Sequence, residues 1–127
     1  MCGDPDEEQL RFMSTQADVV QAVSDRIRPG TVIGDMAALA QGMVDDAGYT
    51  EWFYFRGHGV GTGLTDLPAL APGNPATYEE GMVFALEPML VRYGYGTACW
   101  EDIWHVTATG LERLNTSTPR FWERSAG

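Results

Sequence analysis

Residues 52–61 restrict the possible folds more than any other part of this 127-residue chain. Four consecutive aromatic residues, Trp52 to Phe55, have the bulk and the β propensity of a buried strand. After them comes a histidine set among three glycines, Arg56-Gly57-His58-Gly59-Val60-Gly61. Glycines after a strand let the backbone turn sharply and approach a ligand closely. We therefore expect a strand at about 51–56 whose end delivers His58 into a space kept clear of side chains.

Two glutamates lie in apolar, strand-like segments farther along the chain, Glu87 and Glu101. A carboxylate in a buried strand is costly unless it is paired or binds a metal. Strands at about 82–92 and 97–109 are expected to pair as a hairpin, because a glycine-rich turn joins them. Since alternate side chains of a strand share a face, the two glutamates can converge there and meet His58. The three residues are candidate ligands of a hydrolytic metal site.

Each of these residues also has an ordinary structural explanation. A lone histidine in a glycine-rich turn is more often a turn residue that bonds the backbone than a ligand. Glu87 precedes Pro88 and also fits a strand end that faces water, while Glu101 and Asp102 also fit a solvated edge. The conjunction of the three residues, rather than any one of them, favours the metal site.

Two neighbours of Glu101 are weaker candidates. His105 lies four residues away on the same predicted face, which is about 13 Å along a strand and too far to share a metal. Cys99 is two residues away, about 6.6 Å by the same spacing, and is expected to line the site rather than to bind the ion.

A first helix is predicted over residues 4–30. Asp4 is the expected cap, and Pro5 fits the first helical position, where its missing N–H costs nothing. Pro29-Gly30 is the expected stop. The apolar residues at helical spacing, which should cover a sheet, are Leu10, Met13, Ala17, Val20, Val23 and Ile27.

A second helix is predicted from about Ile33 to Asp46, with Thr31 or Asp35 as its cap and Gly48 at its C-terminal turn. Its expected buried stripe comprises Met36, Leu39, Ala40, Met43 and Val44. Residues 62–80 are rich in proline and glycine and predict a long loop, a length that is usually functional in a compact domain.

Composition narrows the possible functions. The formal net charge is −10, and all eight basic residues are arginines, so we expect no nucleic-acid partner. No apolar run approaches the roughly 20 residues of a membrane span, and no signal peptide is recognisable. Cys2 and Cys99 do not make a disulfide framework, and free thiols are typical of a cytoplasmic protein, which is the location we expect.

Taken in order, these motifs resemble the pita-bread metallohydrolases, a superfamily that includes methionine aminopeptidase, aminopeptidase P, prolidase and creatinase. The similarity spans roughly residues 5–115. The segments that carry it are Gly57-His58-Gly59-Val60-Gly61, Pro68, Pro72-Gly73-Asn74, Gly81-Met82-Val83-Phe84-Ala85-Leu86-Glu87-Pro88, and Glu101-Asp102-Ile103-Trp104-His105-Val106-Thr107 with Gly110.

The resemblance implies an α+β fold, the C-terminal portion of a pita-bread fold, with two helices packed on a curved antiparallel sheet. Residues 1–115 would form a partial catalytic domain, and residues 116–127 a tail whose Phe121 and Trp122 dock on the body or on a partner.

In such enzymes two Asp, one His and two Glu hold two divalent metals, about 3.5–4 Å apart, that activate a bridging water for attack on the scissile carbonyl. By this resemblance His58 is the imidazole ligand and Glu101 the bridging carboxylate. Glu87 is a ligand and the proton shuttle to the leaving amine. Oxygen and nitrogen ligands suit manganese, cobalt, iron or zinc.

The chain departs from the family pattern at two places. The paired aspartates of the family lie on a hairpin that would precede Met1, whereas Asp18, Asp35, Asp45 and Asp46 fall in predicted helices. The positions of a second family histidine and its acidic neighbour are occupied by Thr65 and Asp66, which we assign to substrate binding. Thr65 can donate a hydrogen bond but carries no imidazolium charge.

The resemblance therefore implies a metal-dependent hydrolase of the Xaa-Pro peptidase, aminopeptidase or creatinase type, present as the C-terminal half of a catalytic domain and inactive alone. Its substrate would be a peptide or a small amide. A non-catalytic interaction module on the same fold is the alternative. Half a domain exposes apolar surface, so we also expect a homo-oligomer or a missing N-terminal half as partner.

Overall fold

Two helices cover one face of an antiparallel sheet in the computed structural model, which describes residues 5–117 apart from the side chains of Phe55 and Arg56. The elements in chain order are α1 (Glu7–Ser24), α2 (Ile33–Asp46), a short 3-10 helix (Thr50–Trp52), β1 (Phe53–Gly59), β2 (Val83–Arg92), β3 (Gly96–Cys99), β4 (Asp102–Val106) and β5 (Leu111–Arg113). The strands are arranged in the order β1-β2-β4-β5, and β3 also pairs with β2.

Helix α1 is shorter than predicted at both ends. Its cap is Asp6, which accepts from the backbone N–H of Gln9 at 2.7 Å while the Gln9 side chain accepts from the backbone of Asp6 at 3.0 Å. This reciprocal pair satisfies two backbone N–H groups that have no partner within the helix. Because Asp6 is the cap, Pro5 precedes it instead of occupying the first helical position. The expected cap Asp4 lies outside the described residues. The helix ends at Ser24, where tighter turns begin, and not at residue 30.

The buried face of α1 is rotated from the predicted one. Leu10, an expected core residue, is 43% exposed, whereas Phe12 and Val19 are buried. Val20, Val23 and Ile27 are buried as predicted, although Ile27 lies beyond the helix end. Packing against the sheet, rather than the spacing of apolar residues alone, determines which face of α1 is buried.

Helix α2 has the predicted bounds but a different cap. Its N-terminal residue Val32 makes no side-chain cap, and neither Thr31 nor Asp35 replaces it. The first helical N–H groups donate to carbonyls of the long loop, Ile33 to Ala76 and Gly34 to Asn74, each at 2.9 Å. The C-terminal prediction is confirmed, because Gly48 has a φ of 82°, which a glycine adopts without strain.

The hydrophobic core lies between the helices and the sheet. Residues from all layers contribute, and the largest fully buried side chains include Tyr49, Tyr78, Phe84, Leu86 and Leu90. On β2 the buried large side chains are at even positions, so alternation directs the side chain of Glu87 to the opposite face of the sheet. We call that opposite face the site face.

Strand β1 is longer than predicted and contains His58, which was expected just beyond its end. Gly57 and Gly59 are not among the glycines with positive φ, so they make no sharp turn. They admit a close approach of the chain itself: Leu70 donates to the carbonyl of Gly57 at 2.8 Å, and Gly59 donates to that of Asp66 at 2.9 Å. A Cβ atom on Gly59 would overlap the carbonyl oxygen of Leu67.

The strand predicted over 97–109 is divided into β3 and β4 by Trp100 and Glu101. Both parts keep one register against β2, since Met89 faces Cys99 and Ala85 faces Ile103. Pro88 lies opposite the interruption and, lacking an N–H, cannot donate to the ladder. The predicted turn at Gly110 is confirmed, because the N–H of Thr107 donates to the carbonyl of Gly110 at 2.8 Å.

Candidate metal centre

Three side chains predicted to bind metal meet on the site face. One ligand atom from each of His58, Glu87 and Glu101 lies within 4.8 Å of the others. The sheet explains the meeting. His58 is paired with Ala85 on β2, two residues from Glu87, which makes the histidine and the glutamate diagonal neighbours on one face. The register of β3 and β4, continued through their interruption, sets Glu101 opposite Glu87.

The imidazole of His58 is oriented by its own backbone. Its Nδ1 lies 2.9 Å from the carbonyl oxygen of Gly59, which can only accept, so Nδ1 carries the proton. A neutral ring of that tautomer presents an unprotonated Nε2. This Nε2 lies 4.0 Å from Oε2 of Glu87, and the two side chains are 18% and 25% exposed. The arrangement leaves a ring nitrogen free to bind a cation.

Cys99 borders the group without joining it. Its thiol donates to Oε1 of Glu87 at 3.9 Å. Partial removal of the thiol from water, together with the carboxylates of Glu87 and Glu101, raises the pKa of Cys99 to about 11. Without a metal the thiol is therefore protonated at neutral pH; that Cys99 lines a metal site rather than binds the ion stays a prediction.

Glu101 itself is exposed, but the residue after it is not. The carboxylate of Asp102 is buried and accepts from Arg113, Asn115 and the indole N–H of Trp100. The alternative of a solvated edge is thus wrong for Asp102. Burial acts to raise the pKa of Asp102, but the three hydrogen bonds and the charge of Arg113 outweigh burial and lower that pKa below its usual range. Sequence reasoning missed this cluster.

Thr65 and Asp66 lie in the loop that packs along β1. Thr65 is exposed. Asp66 pairs through its backbone with Gly59, and its carboxylate accepts from the N–H of Gly63 at 2.9 Å. The two residues are therefore tied to the strand that carries His58.

The remaining acidic and histidine candidates stay apart from the group. His105 lies 3.4 Å from Glu112 on β5. Asp18, Asp35, Asp45 and Asp46 lie on α1 and α2, as predicted. Among residues 5–117, no other three His, Cys, Asp or Glu side chains converge closely enough to share a metal ion.

The donor set fits a divalent cation. Two ligand atoms at about 2.1 Å from one ion are at most about 4.2 Å apart, so the group needs only a small contraction to hold one. One imidazole nitrogen and two carboxylates suit manganese, cobalt, iron or zinc, the metals predicted from the sequence.

Residues 1–108 match the profile of metallopeptidase family M24. This chain belongs to metallopeptidase family M24. The resemblance drawn from the motifs is thereby confirmed, and the family makes divalent metal ions the expected cofactors.

Relatives within this M24 family include a curated Xaa-Pro dipeptidase from Lactobacillus delbrueckii subsp. lactis, 32% identical over 111 residues. The match covers 87% of this chain and 30% of that protein. The chain thus spans about a third of the length of the curated relatives it matches.

Solved structures agree with the M24 assignment. Dipeptidase PepE from Mycobacterium ulcerans matches with a TM-score of 0.86 and 32% identity, over 91% of this chain and 32% of that one. The prolidase from Pyrococcus furiosus matches with a TM-score of 0.86 and 27% identity, over 93% and 35%. The predicted fold, a portion of a pita-bread domain with two helices on an antiparallel sheet, is confirmed.

Proposed function

We propose that this chain supplies part of the active site of a metal-dependent peptidase that hydrolyses an amide bond beside proline, with creatinase-type amide hydrolysis as the related possibility. The observation that carries the proposal is the convergence of His58, Glu87 and Glu101. A half-buried carboxylate such as that of Glu87 is costly without a partner, and a cation shared with His58 and the exposed Glu101 supplies one. The names of the relatives, Xaa-Pro dipeptidase and prolidase, support the reaction class.

In this proposal His58 binds the cation through Nε2, and Glu87 and Glu101 bind it through their carboxylates. A complete site of this type would hold two ions, with Glu101 among the carboxylates that would bind them. When bound, the metal supplies Lewis-acid activation of a water molecule and of the scissile carbonyl. Manganese, cobalt, iron and zinc are the candidates.

Glu87 is the proposed proton shuttle. A carboxylate within hydrogen-bond reach of the attacking water can accept its proton and return it to the leaving amine. Support comes from the position of Glu87 between the imidazole of His58 and the thiol of Cys99, where it is 25% exposed and so accessible to a substrate.

Thr65 and Asp66 are the proposed substrate-binding residues. The exposed hydroxyl of Thr65 is available to donate to a substrate carbonyl or carboxylate. Asp66 fixes the loop through Gly63 and Gly59, which sets the position of Thr65 relative to β1.

The isolated chain is proposed to be inactive. It spans about 30% of its curated relative, and three donors are brought together within residues 5–117, fewer than a two-metal site needs. Titration calorimetry of the 127-residue chain with Mn²⁺ or Co²⁺ tests this: we expect weak binding of one ion and no appreciable hydrolysis of an Xaa-Pro dipeptide. Tight binding of two ions per chain would contradict it.

Matched variants locate the ion. Glu101→Gln should strongly weaken Mn²⁺ binding, whereas Glu112→Gln, which removes an exposed carboxylate on β5, should preserve it. Equal effects of the two substitutions would mean that the ion binds to acidic surface in general.

A non-catalytic interaction module is the competing proposal. It is favoured by two leucines on the loop that packs along β1, Leu64 and Leu67, which are 96% and 86% exposed. Purified protein without metal, together with a stable complex with a partner polypeptide, would support the module. Stoichiometric metal retained through purification would support the hydrolase.

Among the described residues, neither helix is long and apolar enough to cross a membrane. A cytoplasmic location stays a prediction from composition.

A further inference from the structure

Asp102 is a charged residue with only 4% of its surface exposed, yet it lies next to an exposed candidate ligand. A buried carboxylate destabilises the fold unless donors satisfy it. Its carboxylate accepts at 2.6 Å from Nη2 of Arg113, at 2.5 Å from Nδ2 of Asn115 and at 3.0 Å from Nε1 of Trp100. The donors come from the interruption before β4, from β5 and from the segment after β5.

The same cluster fixes the backbone on both sides of Glu101. Before it, the Trp100 N–H donates to the carbonyl of Pro88 at 3.3 Å. After it, the side-chain oxygen of Asn115 accepts from the Ile103 N–H at 2.9 Å, and the Leu114 N–H donates to the Ile103 carbonyl at 2.9 Å. Glu101 lies outside the ladder of both β3 and β4, so its direction depends on these neighbours.

The two adjacent carboxylates have opposite environments. Asp102 lines a cavity of about 200 Å³ against α1, with Ala17, Val20 and Trp104 in its wall. Glu101, one residue earlier, lies on the site face with Glu87 and His58. A rotation of the backbone at the interruption would move both side chains away from these positions. The hydrogen bonds of Asp102 therefore also hold Glu101 in place.

We propose that Asp102 is a positioning residue, which through Trp100, Arg113 and Asn115 fixes the interruption between β3 and β4 so that Glu101 meets Glu87 and His58. This inference rests on the proposed metal site and adds to it the group that orients the glutamate. Asp102 does not touch the cation in this arrangement.

The test is a double-mutant cycle of Mn²⁺ affinity on the full chain. Asp102→Asn keeps the shape of the side chain but replaces one acceptor oxygen with a donor, and should weaken binding about tenfold or more. In the Glu87→Gln background, where Glu101 remains, the same substitution should weaken the residual binding further. In the Glu101→Gln background it should have no added effect, because the residue through which it acts is gone.

Val106→Ala is the control that distinguishes a general loss of stability from a loss of positioning. It truncates a fully buried residue of the same strand outside the Asp102 cluster. At a temperature where all variants are folded, this control should retain the Mn²⁺ affinity of the unsubstituted chain. A metal-free readout is the exchange rate of the Trp100 indole N–H with solvent, which Asp102→Asn should raise and Val106→Ala should not.

The outcomes distinguish this inference from the proposed function. If the unsubstituted chain binds no Mn²⁺, the metal site and the positioning role are both overturned. If it binds, and Asp102→Asn is folded with unchanged affinity or an equal loss in the Glu101→Gln background, only the positioning role is overturned. If Asp102→Asn does not fold, Asn115→Ala takes its place, with an expected loss of about threefold in the same cycle.

Discussion

Gly59 lies directly beneath the backbone of Leu67, so a single added carbon atom tests how tightly the loop is packed onto β1. We predict that Gly59→Ala destabilises the chain by about 1–3 kcal/mol, because the loop backbone must shift to admit the methyl group. The matched control is Gly42→Ala on α2, where, outside the helix backbone itself, no atom of residues 5–117 lies within 4 Å of the new carbon. That change should stabilise by about 0.5–1 kcal/mol. Urea unfolding measures both, and a Gly59→Ala variant as stable as the parent would contradict the packing.

Tyr78 is fully buried, and its hydroxyl has no hydrogen-bond partner within residues 5–117. Tyr78→Phe removes an unsatisfied polar group while keeping the ring against Phe84. We predict a change between zero and about 1 kcal/mol of added stability at neutral pH. Tyr93→Phe, at an exposed position, should change stability by less than about 0.5 kcal/mol. A loss of more than 1 kcal/mol in Tyr78→Phe would reveal a partner for the hydroxyl.

The same residue gives a pH dependence. Burial raises the pKa of Tyr78 above its ordinary value near 10, so the folded chain holds this proton more tightly than the unfolded chain. Protonated Tyr78 therefore makes its full contribution to the free energy of unfolding below about pH 10. That contribution is lost as the pH rises above this value, because the tyrosine of the unfolded chain ionises first. Unfolding free energies measured from about pH 8 to about pH 11 should fall less steeply for Tyr78→Phe than for the parent. Equal slopes of unfolding free energy against pH in Tyr78→Phe and the parent would contradict a raised pKa of Tyr78.

At the scale of elements, the N-terminus of α1 depends on Asp6, which caps the helix and also accepts from the hydroxyl of Tyr95 at 3.1 Å. Asp6→Ala should therefore cost about 0.5–2 kcal/mol in thermal or urea unfolding. Asp46→Ala is a charge-matched control, because an exposed aspartate at the C-terminal end of α2 opposes the helix dipole and its removal should be neutral or slightly stabilising. Equal losses in the two variants would show that charge, rather than the cap, is responsible.

Which elements the sequence predicts depends on whether their causes are local. The bounds of α2 follow from its own apolar stripe and from Gly48, and both were predicted. Its cap was not, because the acceptors are carbonyls of Asn74 and Ala76, brought there by the loop. The division of the last long strand was missed for the same reason, since Pro88 acts on the partner strand and its effect requires the register.

The candidate site follows the same rule. Convergence of His58, Glu87 and Glu101 was predictable because alternation along the strands and their register place the three residues on one face, although the interruption that holds Glu101 was not predicted. The cluster around Asp102 was not, because Arg113 and Asn115 reach it only after β5 folds back on β4.

For the whole molecule, the predicted association follows from the exposed apolar residues and the short span of the chain relative to its relatives. We expect light scattering to detect self-association at micromolar concentration, because uncovered apolar surface favours contact. Leu64→Ser with Leu67→Ser should reduce it without loss of stability, since both leucines are exposed. A monomeric parent chain would contradict the expectation.

The proposed metal site requires that three side chains, from β1, β2 and the β3–β4 interruption, bind one cation. Anomalous diffraction from a crystal of the chain soaked in Mn²⁺ tests it most directly. We predict a single strong peak within coordination distance of His58 Nε2 and the carboxylates of Glu87 and Glu101. A peak located elsewhere, or no peak while the three side chains keep their positions, would contradict the proposed metal site.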